Sequence, residues 1–259
     1  MIDAAISIAK EAGALLLERY GRLTGAEISR KGPRDFVTAA DRDAEALIAR
    51  RLAEEFPDHA LLAEEGARHG DPEGPTWIVD PLDGTTNFLH GIPFFAVSLG
   101  LVEAGKPVLG VIHAPALGRT FHGAPGSGAF DDERPLSVSV TPELREALVA
   151  TGFGYSLDRV EDHNLDNLAA VARVARGIRR LGSAALDLAF VAAGHLDAFW
   201  ELHLSPWDVA AGAAIVRAAG GTVTDARGGD DWLHGRSIVA TNGMLHDAIR
   251  SHLVPLRAL

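Results

Sequence analysis

Apolar residues in the first stretch of the chain recur at three- and four-residue steps. Ile2, Ala5, Ile6, Ala9, Gly13, Leu16, Leu17 and Tyr20 share one face, which predicts a helix that stops near Gly21. Residues 24–36 are polar, contain Lys31, Gly32 and Pro33, and read as a β-ribbon or loop. A second helix is predicted from about Ala39 to Phe56, with Ala44, Leu47, Ile48, Leu52 and Phe56 inward and Pro57 as its stop. Between about 59 and 140 the pattern shortens to apolar runs: LLA at 61, WIVD at 77, FFAVSLGLV at 94, PVLGVIHAP at 107, TFHG at 120 and LSVSV at 136. Turn residues separate them, so an antiparallel sheet behind two helices is expected.

Beyond residue 140 the pattern alternates. ALVATGF at 147, GIRRLG, LDAFWEL, GTVTD and SIVAT read as strands, and helices are predicted near 161–176, 184–193 and 206–219. A layered α/β arrangement follows. We expect two parts, residues 1–140 and 141–259, packed tightly as one unit, with most of the acidic motifs in the first.

Composition narrows the chemistry. The 259 residues are 47% hydrophobic and 23% charged, the profile of a folded globular chain. A net charge of −11 argues against direct nucleic-acid binding, and the absence of cysteine excludes disulfides, thiolate nucleophiles and Cys-based zinc sites. Asp3, Lys10, Glu11 and Glu18 interrupt the N-terminal apolar run, so neither a signal peptide nor a membrane span is read there, and a soluble, cytoplasmic chain is expected.

Carboxylates carry the rest. In Trp77-Ile78-Val79-Asp80-Pro81-Leu82-Asp83-Gly84-Thr85-Thr86-Asn87-Phe88 an apolar strand delivers Asp80, a proline turns the chain, and Asp83 follows beside a glycine. Two carboxylates so close repel unless a cation sits between them, and oxygen donors suit magnesium, calcium or manganese. A plain Asp-Gly turn is the alternative reading. Gly84-Thr85-Thr86 could open a short helix with its N–H groups toward an anion. Glu64 and Glu65 follow an apolar run and read either as further oxygen donors or as solvated charges. Asp35 and Asp41 flank Thr38, which with Asp41 also fits a helix capping box; Ser205, Pro206 and Asp208 repeat that ambiguity late in the chain.

The segments DFVTAAD, LLAEEG, WIVDPLDGTTNF, GSAA and WDVAAG, in this order and spacing over residues 35–212, resemble the signature set of the inositol monophosphatase family. That resemblance implies an α/β fold, in detail an α+β layered αβαβα sandwich of the sugar-phosphatase type, and magnesium-dependent hydrolysis of a phosphate monoester. It implies two or three Mg2+ ions held by Glu64, Asp80, the Leu82 carbonyl, Asp83 and Asp208, with Glu65 in support. Thr85 and Asp41 match the pair that orients the attacking water, and the Gly84 and Thr85 N–H groups match the phosphate contacts. Lys31 falls on the loop near the third metal, and Asp35 of DFVTAAD is counted with Lys31 and Glu65 as support.

For the substrate, Gly182, Ser183 and Ala184 match the backbone-contact segment, with serine where threonine is frequent. Glu201, seven residues before Asp208, matches the glutamate that binds an inositol hydroxyl; a strand-end acid is the other reading. A small phosphorylated polyol or sugar is thus implied, with myo-inositol monophosphate first and a dual inositol monophosphatase and fructose-1,6-bisphosphatase as the alternative. Lithium sensitivity and a homodimer are family expectations. A regulatory role as a protein partner of the transcription machinery is the reading from another class. No GxxxxGK[ST], GxSxG or HExxH is present, and none of the eleven histidines is assigned a role.

Overall fold

The two predicted N-terminal helices are α1 (Ile2–Arg19) and α2 (Ala39–Glu55) in the computed structural model, which describes residues 1–22, 28–30, 36–154 and 163–254. The buried face of α1 runs through Ala5, Ile8, Ala9, Ala12, Gly13 and Leu16. Leu17, expected inward, is exposed, and Ile2, Ile6 and Tyr20 sit at the edge of the contact. Small alanines at 5, 9 and 12 let the helix approach most closely there and so set which face turns in. Between the helices, β1 (Ile28–Arg30) and β2 (Phe36–Thr38) pair as an antiparallel ribbon.

A sheet of eight strands follows: β3 (Ala60–Ala63), β4 (Arg68–His69), β5 (Thr76–Asp83), β6 (Ala96–Glu103), β7 (Lys106–Ala114), β8 (Arg119–Ala124), β9 (Gly128–Asp131) and β10 (Arg134–Leu136). Their order is β10-β9-β8-β7-β6-β5-β3-β4, antiparallel except for the β3–β5 pair. The remaining elements are β11 (Leu148–Thr151), α4 (Leu165–Ala172), β12 (Gly177–Arg179), α5 (Ala184–Ala192), β13 (Ala198–Leu202), α6 (Pro206–Ala218), β14 (Thr222–Thr224), β15 (Ser237–Thr241) and α7 (His246–Arg250), with the five-residue α3 (Thr85–Leu89) after β5. The second sheet has the order β12-β11-β13-β15-β14.

Strand alternation distributes the core. Trp77 and Val79 of β5 face α1 and α2 with Ile8, Leu16, Ile48 and Leu52, whereas Ile78 faces the other way, toward Leu186 of α5 and Ile215 of α6. That middle layer also receives Phe199 and Ile238 from the second sheet, whose far side, with Trp200 and Val239, is covered by Val171 of α4 and Ile249 of α7. The order of layers is therefore helix, sheet, helix, sheet, helix, the expected sandwich.

The alternating run LSVSV does not continue as a strand beyond Leu136. It crosses between the sheets, and its polar groups bond outside any ladder: Val138 N–H donates to Ala219 O, and Ser139 Oγ donates to Asp197 Oδ1 at 2.6 Å. Helix α4 begins only at Leu165, later than predicted, after Asn164 in a left-handed conformation. Helix α7 and the short β4 and β9 have no counterpart in the sequence reading.

The depth of α6 is set by glycine. Gly100, Gly110 and Gly123 are register partners across β6, β7 and β8. A Cβ on Gly100 would lie 2.8 Å from Ala210 Cβ, and one on Gly110 only 2.1 Å from Ala211 O. The helix backbone thus rests on the sheet backbone, closer than any side chain would permit. Gly110→Ala should lower folding stability by about 2 kcal/mol or more through overpacking, measured as a lower urea midpoint at unchanged slope. A shift within 0.5 kcal/mol would show that α6 can retreat freely.

Candidate active site

The site is built around the end of β5. The sequence suggested a tight turn at Pro81; instead the strand continues to Asp83, with its register against β6 shifted between Asp80 and Asp83. Proline has no N–H for the ladder, so pairing breaks locally. The next amide turns inward, and Leu82 N–H donates to Asp80 Oδ1 at 2.9 Å. Gly84 then ends the strand at φ +90°, where a Cβ would also press on Phe94 O at 3.0 Å. Asn87 of α3 ties this motif to the second half of the chain, donating from Nδ2 to Phe94 O (2.7 Å) and to Leu181 O (2.8 Å).

Two helix N-termini point at the same place. At the start of α5, Ser183 Oγ and Ala185 N–H both donate to Asp83 Oδ2, at 2.5 and 2.8 Å. At the start of α6, Asp208 accepts from Ser205 N–H at 2.6 Å, so it caps its helix and still reaches the cluster. Asp80, Asp83 and Asp208 each bring a carboxylate oxygen within 4.8 Å of the others.

Glu64 stands outside that cluster but lines the same cleft as Asp83 and Asp208. Its N–H donates to Val79 O at 3.1 Å, and its turn is clamped by buried Glu45 of α2, which accepts from Glu65 N–H (2.7 Å) and Ala67 N–H (2.9 Å). Glu65 is therefore seen here through its backbone, as part of the turn that holds Glu64.

Asp41 also caps its helix and faces the site. Its Oδ2 accepts from Thr38 N–H at 3.0 Å, and its Oδ1 accepts from Thr85 Oγ1 at 3.3 Å. The Thr85 hydroxyl lies 3.0 Å from Leu82 O as well, so its proton is shared. Lys31 and Asp35 lie outside the described residues.

Burial and like charge act together on these acids. Asp80 is pushed well above the ordinary carboxylate range, first by burial and then by Glu64, Asp83 and Asp208. Asp208 is raised by burial and by Asp83. Asp83 rises to about 6 by burial, held back by its Ser183 and Ala185 hydrogen bonds. Burial raises Asp41, opposed by Thr38. Glu201, buried on β13, is pushed to about 8 by burial, with Arg180 pulling the other way.

The cleft encloses about 200 Å³ between the sheets. Gly182, Ser183, Ala184 and Glu201 line it, as does Gly84. So do Gly152, Arg180, Asp187 and His203, which the sequence reading had not singled out. Asp187 carried a signal: it is a charge inside the otherwise apolar ALDLAF run, and an acid in a buried stripe needs a reason. A larger groove of about 750 Å³ at the β3–β4 edge has a single carboxylate, Glu73, in its lining.

The donor set fits a hard divalent cation. All its atoms are oxygens, Asp80 and Asp83 are buried and Asp208 half-buried, and they repel one another. Two oxygens on one magnesium lie at most about 4.2 Å apart, twice the bond length, close to the spread of the cluster. Layered fold and acidic cleft together define a phosphoric monoester hydrolase of the metal-dependent kind.

The sequence profile described as the inositol monophosphatase family matches residues 1–257. An inositol-1-monophosphatase of Mesorhizobium japonicum is 44% identical over 96% of this chain and 94% of its own. A fructose-1,6-bisphosphatase/inositol-1-monophosphatase of Thermotoga maritima is 39% identical over 96% of this chain and 93% of its own. The crystal structure of the extragenic suppressor protein suhB from Bartonella henselae superposes with a TM-score of 0.91 at 43% identity, covering 96% of both chains. The chain belongs to the inositol monophosphatase family. No helix among the described residues is long and apolar enough to cross a membrane.

The raised acids give a signed pH dependence for the metal-free protein. Asp83 at about 6 and Glu201 at about 8 stand above their ordinary 3.8 and 4.5. The folded chain therefore holds protons that the unfolded chain has released, and stability falls as pH rises from about 5 to 8. Thermal melts in chelator should show this decline, and magnesium should flatten it by taking the place of the protons. A chelated melt independent of pH would refute the charge crowding.

Proposed function

We propose that this protein hydrolyses a small phosphate monoester, with myo-inositol monophosphate as its preferred substrate, in a magnesium-dependent reaction with water as nucleophile. The observation that carries the reading is the convergence of Asp80, Asp83 and Asp208 beside the Thr85–Asp41 pair, with Glu201 lining the same cleft as Asp83 and Asp208. Glu64, Asp80, Asp83, Asp208 and the Leu82 carbonyl would hold two or three magnesium ions. Bound there, magnesium lowers the pKa of water and stabilises charge on the departing oxygen.

The chain's own groups do the positioning. Thr38 fixes one oxygen of Asp41 and leaves the other to accept the Thr85 proton. With its proton so directed, Thr85 Oγ1 keeps its lone pairs to orient a water, and Asp41, its affinity for protons increased by burial, is the group to receive one. The N–H groups of Gly84 and Thr85 would hold phosphate oxygens. Gly182, Ser183 and Ala184 would lie along the alcohol half, and Glu201 would accept one of its hydroxyls. Fructose 1,6-bisphosphate as an additional substrate is the second reading; the exposed cation Arg180 in the cleft lining favours it.

Phosphate release should stop in chelator and return with magnesium, while calcium, with looser coordination, should inhibit. Asp83→Asn should cut turnover by at least about a hundredfold, the upper range for disturbing a metal ligand's surroundings, and leave the melting temperature in chelator no lower. Full turnover in chelator refutes the mechanism.

Glu201→Gln should lower the ratio of kcat/KM for myo-inositol 1-phosphate to that for p-nitrophenyl phosphate by about tenfold. An unchanged ratio would remove Glu201 from substrate recognition. Turnover of fructose 1,6-bisphosphate that is selectively lost in Arg180→Ala would support the second reading.

A further inference from the structure

Asp187 has no part in the chemistry described above, and its surroundings are unusual for a buried acid. It lies in the first turn of α5, is 2% exposed, and its Oδ1 has no hydrogen-bond partner among the described residues. A buried structural acid in the same half of the chain looks different: Asp197 accepts from Ser139 Oγ at 2.6 Å and from Leu148 N–H at 2.7 Å. Leaving a buried carboxylate without donors opposes folding. Such a cost is expected where the missing donor comes from a ligand.

The place of Asp187 suggests which ligand. It lines the cleft with Glu201 and Arg180, whereas the acids at the cation cluster have their donors already: Ser183 and Ala185 for Asp83, Ser205 for Asp208. Glu201 lies over Gly152, where a Cβ would come 2.0 Å from Oε2, so glycine at 152 leaves the room its carboxylate occupies. This wall thus offers two carboxylates against one guanidinium. Carboxyl oxygens placed there suit hydroxyl partners.

We infer that Asp187 is a second specificity carboxylate, acting beside Glu201 to accept hydroxyls on the alcohol half of a cyclic polyol or sugar monophosphate. The inference rests on the phosphatase reading above. It adds a residue that selects for neighbouring free hydroxyls, and it makes the acid in the ALDLAF run part of substrate choice.

The test compares wild type with Asp187→Asn, in magnesium, on myo-inositol 1-phosphate, p-nitrophenyl phosphate and fructose 1,6-bisphosphate. The ratio of kcat/KM for the inositol ester to that for the aryl ester should fall about tenfold, carried by KM, as expected for losing a hydrogen bond to the substrate. A purely structural acid would move all three substrates together, and unchanged ratios overturn the inference. Should the variant not fold, a crystal structure of the wild-type protein with calcium and myo-inositol 1-phosphate decides. A substrate hydroxyl within about 3.2 Å of an Asp187 carboxylate oxygen supports the role, and a substrate that leaves Asp187 untouched overturns it. Wild-type protein inactive on every ester would instead overturn the phosphatase reading itself.

Discussion

Everything in this fold answers to the repulsion among acids buried at the end of β5. Asp80, Asp83 and Asp208 are gathered where each raises the proton affinity of its neighbours, an arrangement no chain adopts by side-chain preference alone. Backbone and hydroxyl donors make it tolerable: Leu82 N–H on Asp80, Ser183 and Ala185 on Asp83, Ser205 N–H on Asp208. Two of these donor groups are helix N-termini, where the aligned peptide dipoles favour negative charge. The middle helical layer therefore does more than fill space between the sheets. It brings positive potential to the acids, and the glycine row under α6 sets how near it can come.

The cleft divides into ends with different demands. Around Asp80, Asp83 and Asp208 one oxygen of each carboxylate accepts a donor, which fixes its orientation and leaves the other oxygen unbonded among the described residues. At the wall of Glu201 and Asp187, by contrast, Asp187 Oδ1 has no donor among the described residues, so polarity there is left unsatisfied.

Much of this was legible in sequence because the capping and chemical readings of the same residue proved compatible. A helix cap needs one oxygen of a carboxylate. Asp41 gives Oδ2 to Thr38 and keeps Oδ1 for Thr85; Asp208 caps α6 and still joins the cluster. Periodicity located α1, α2, α5 and α6 and most strands of the large sheet. It failed where local pattern and long-range partner disagree. LSVSV alternates like a strand but bonds to a helix end and a distant aspartate, and Leu17 belongs to the apolar period while the alanines decide the contact. Glu45 was passed over because the amides it holds lie on another element, and Arg180 and Asp187 because only the fold brings them to the cleft, which no spacing rule reaches.

The hydrogen bonds that hold the site span the chain. Asp83 is held by groups 100 and 102 residues further on, Asp41 meets Thr85 across 44, and Asn87 reaches Leu181 across 94. During synthesis, then, the strand bearing Asp80 and Asp83 leaves the ribosome long before α5 and α6 exist to neutralise it. Until they emerge, Asp83 is without the hydroxyl and the amide that hold it in the finished fold.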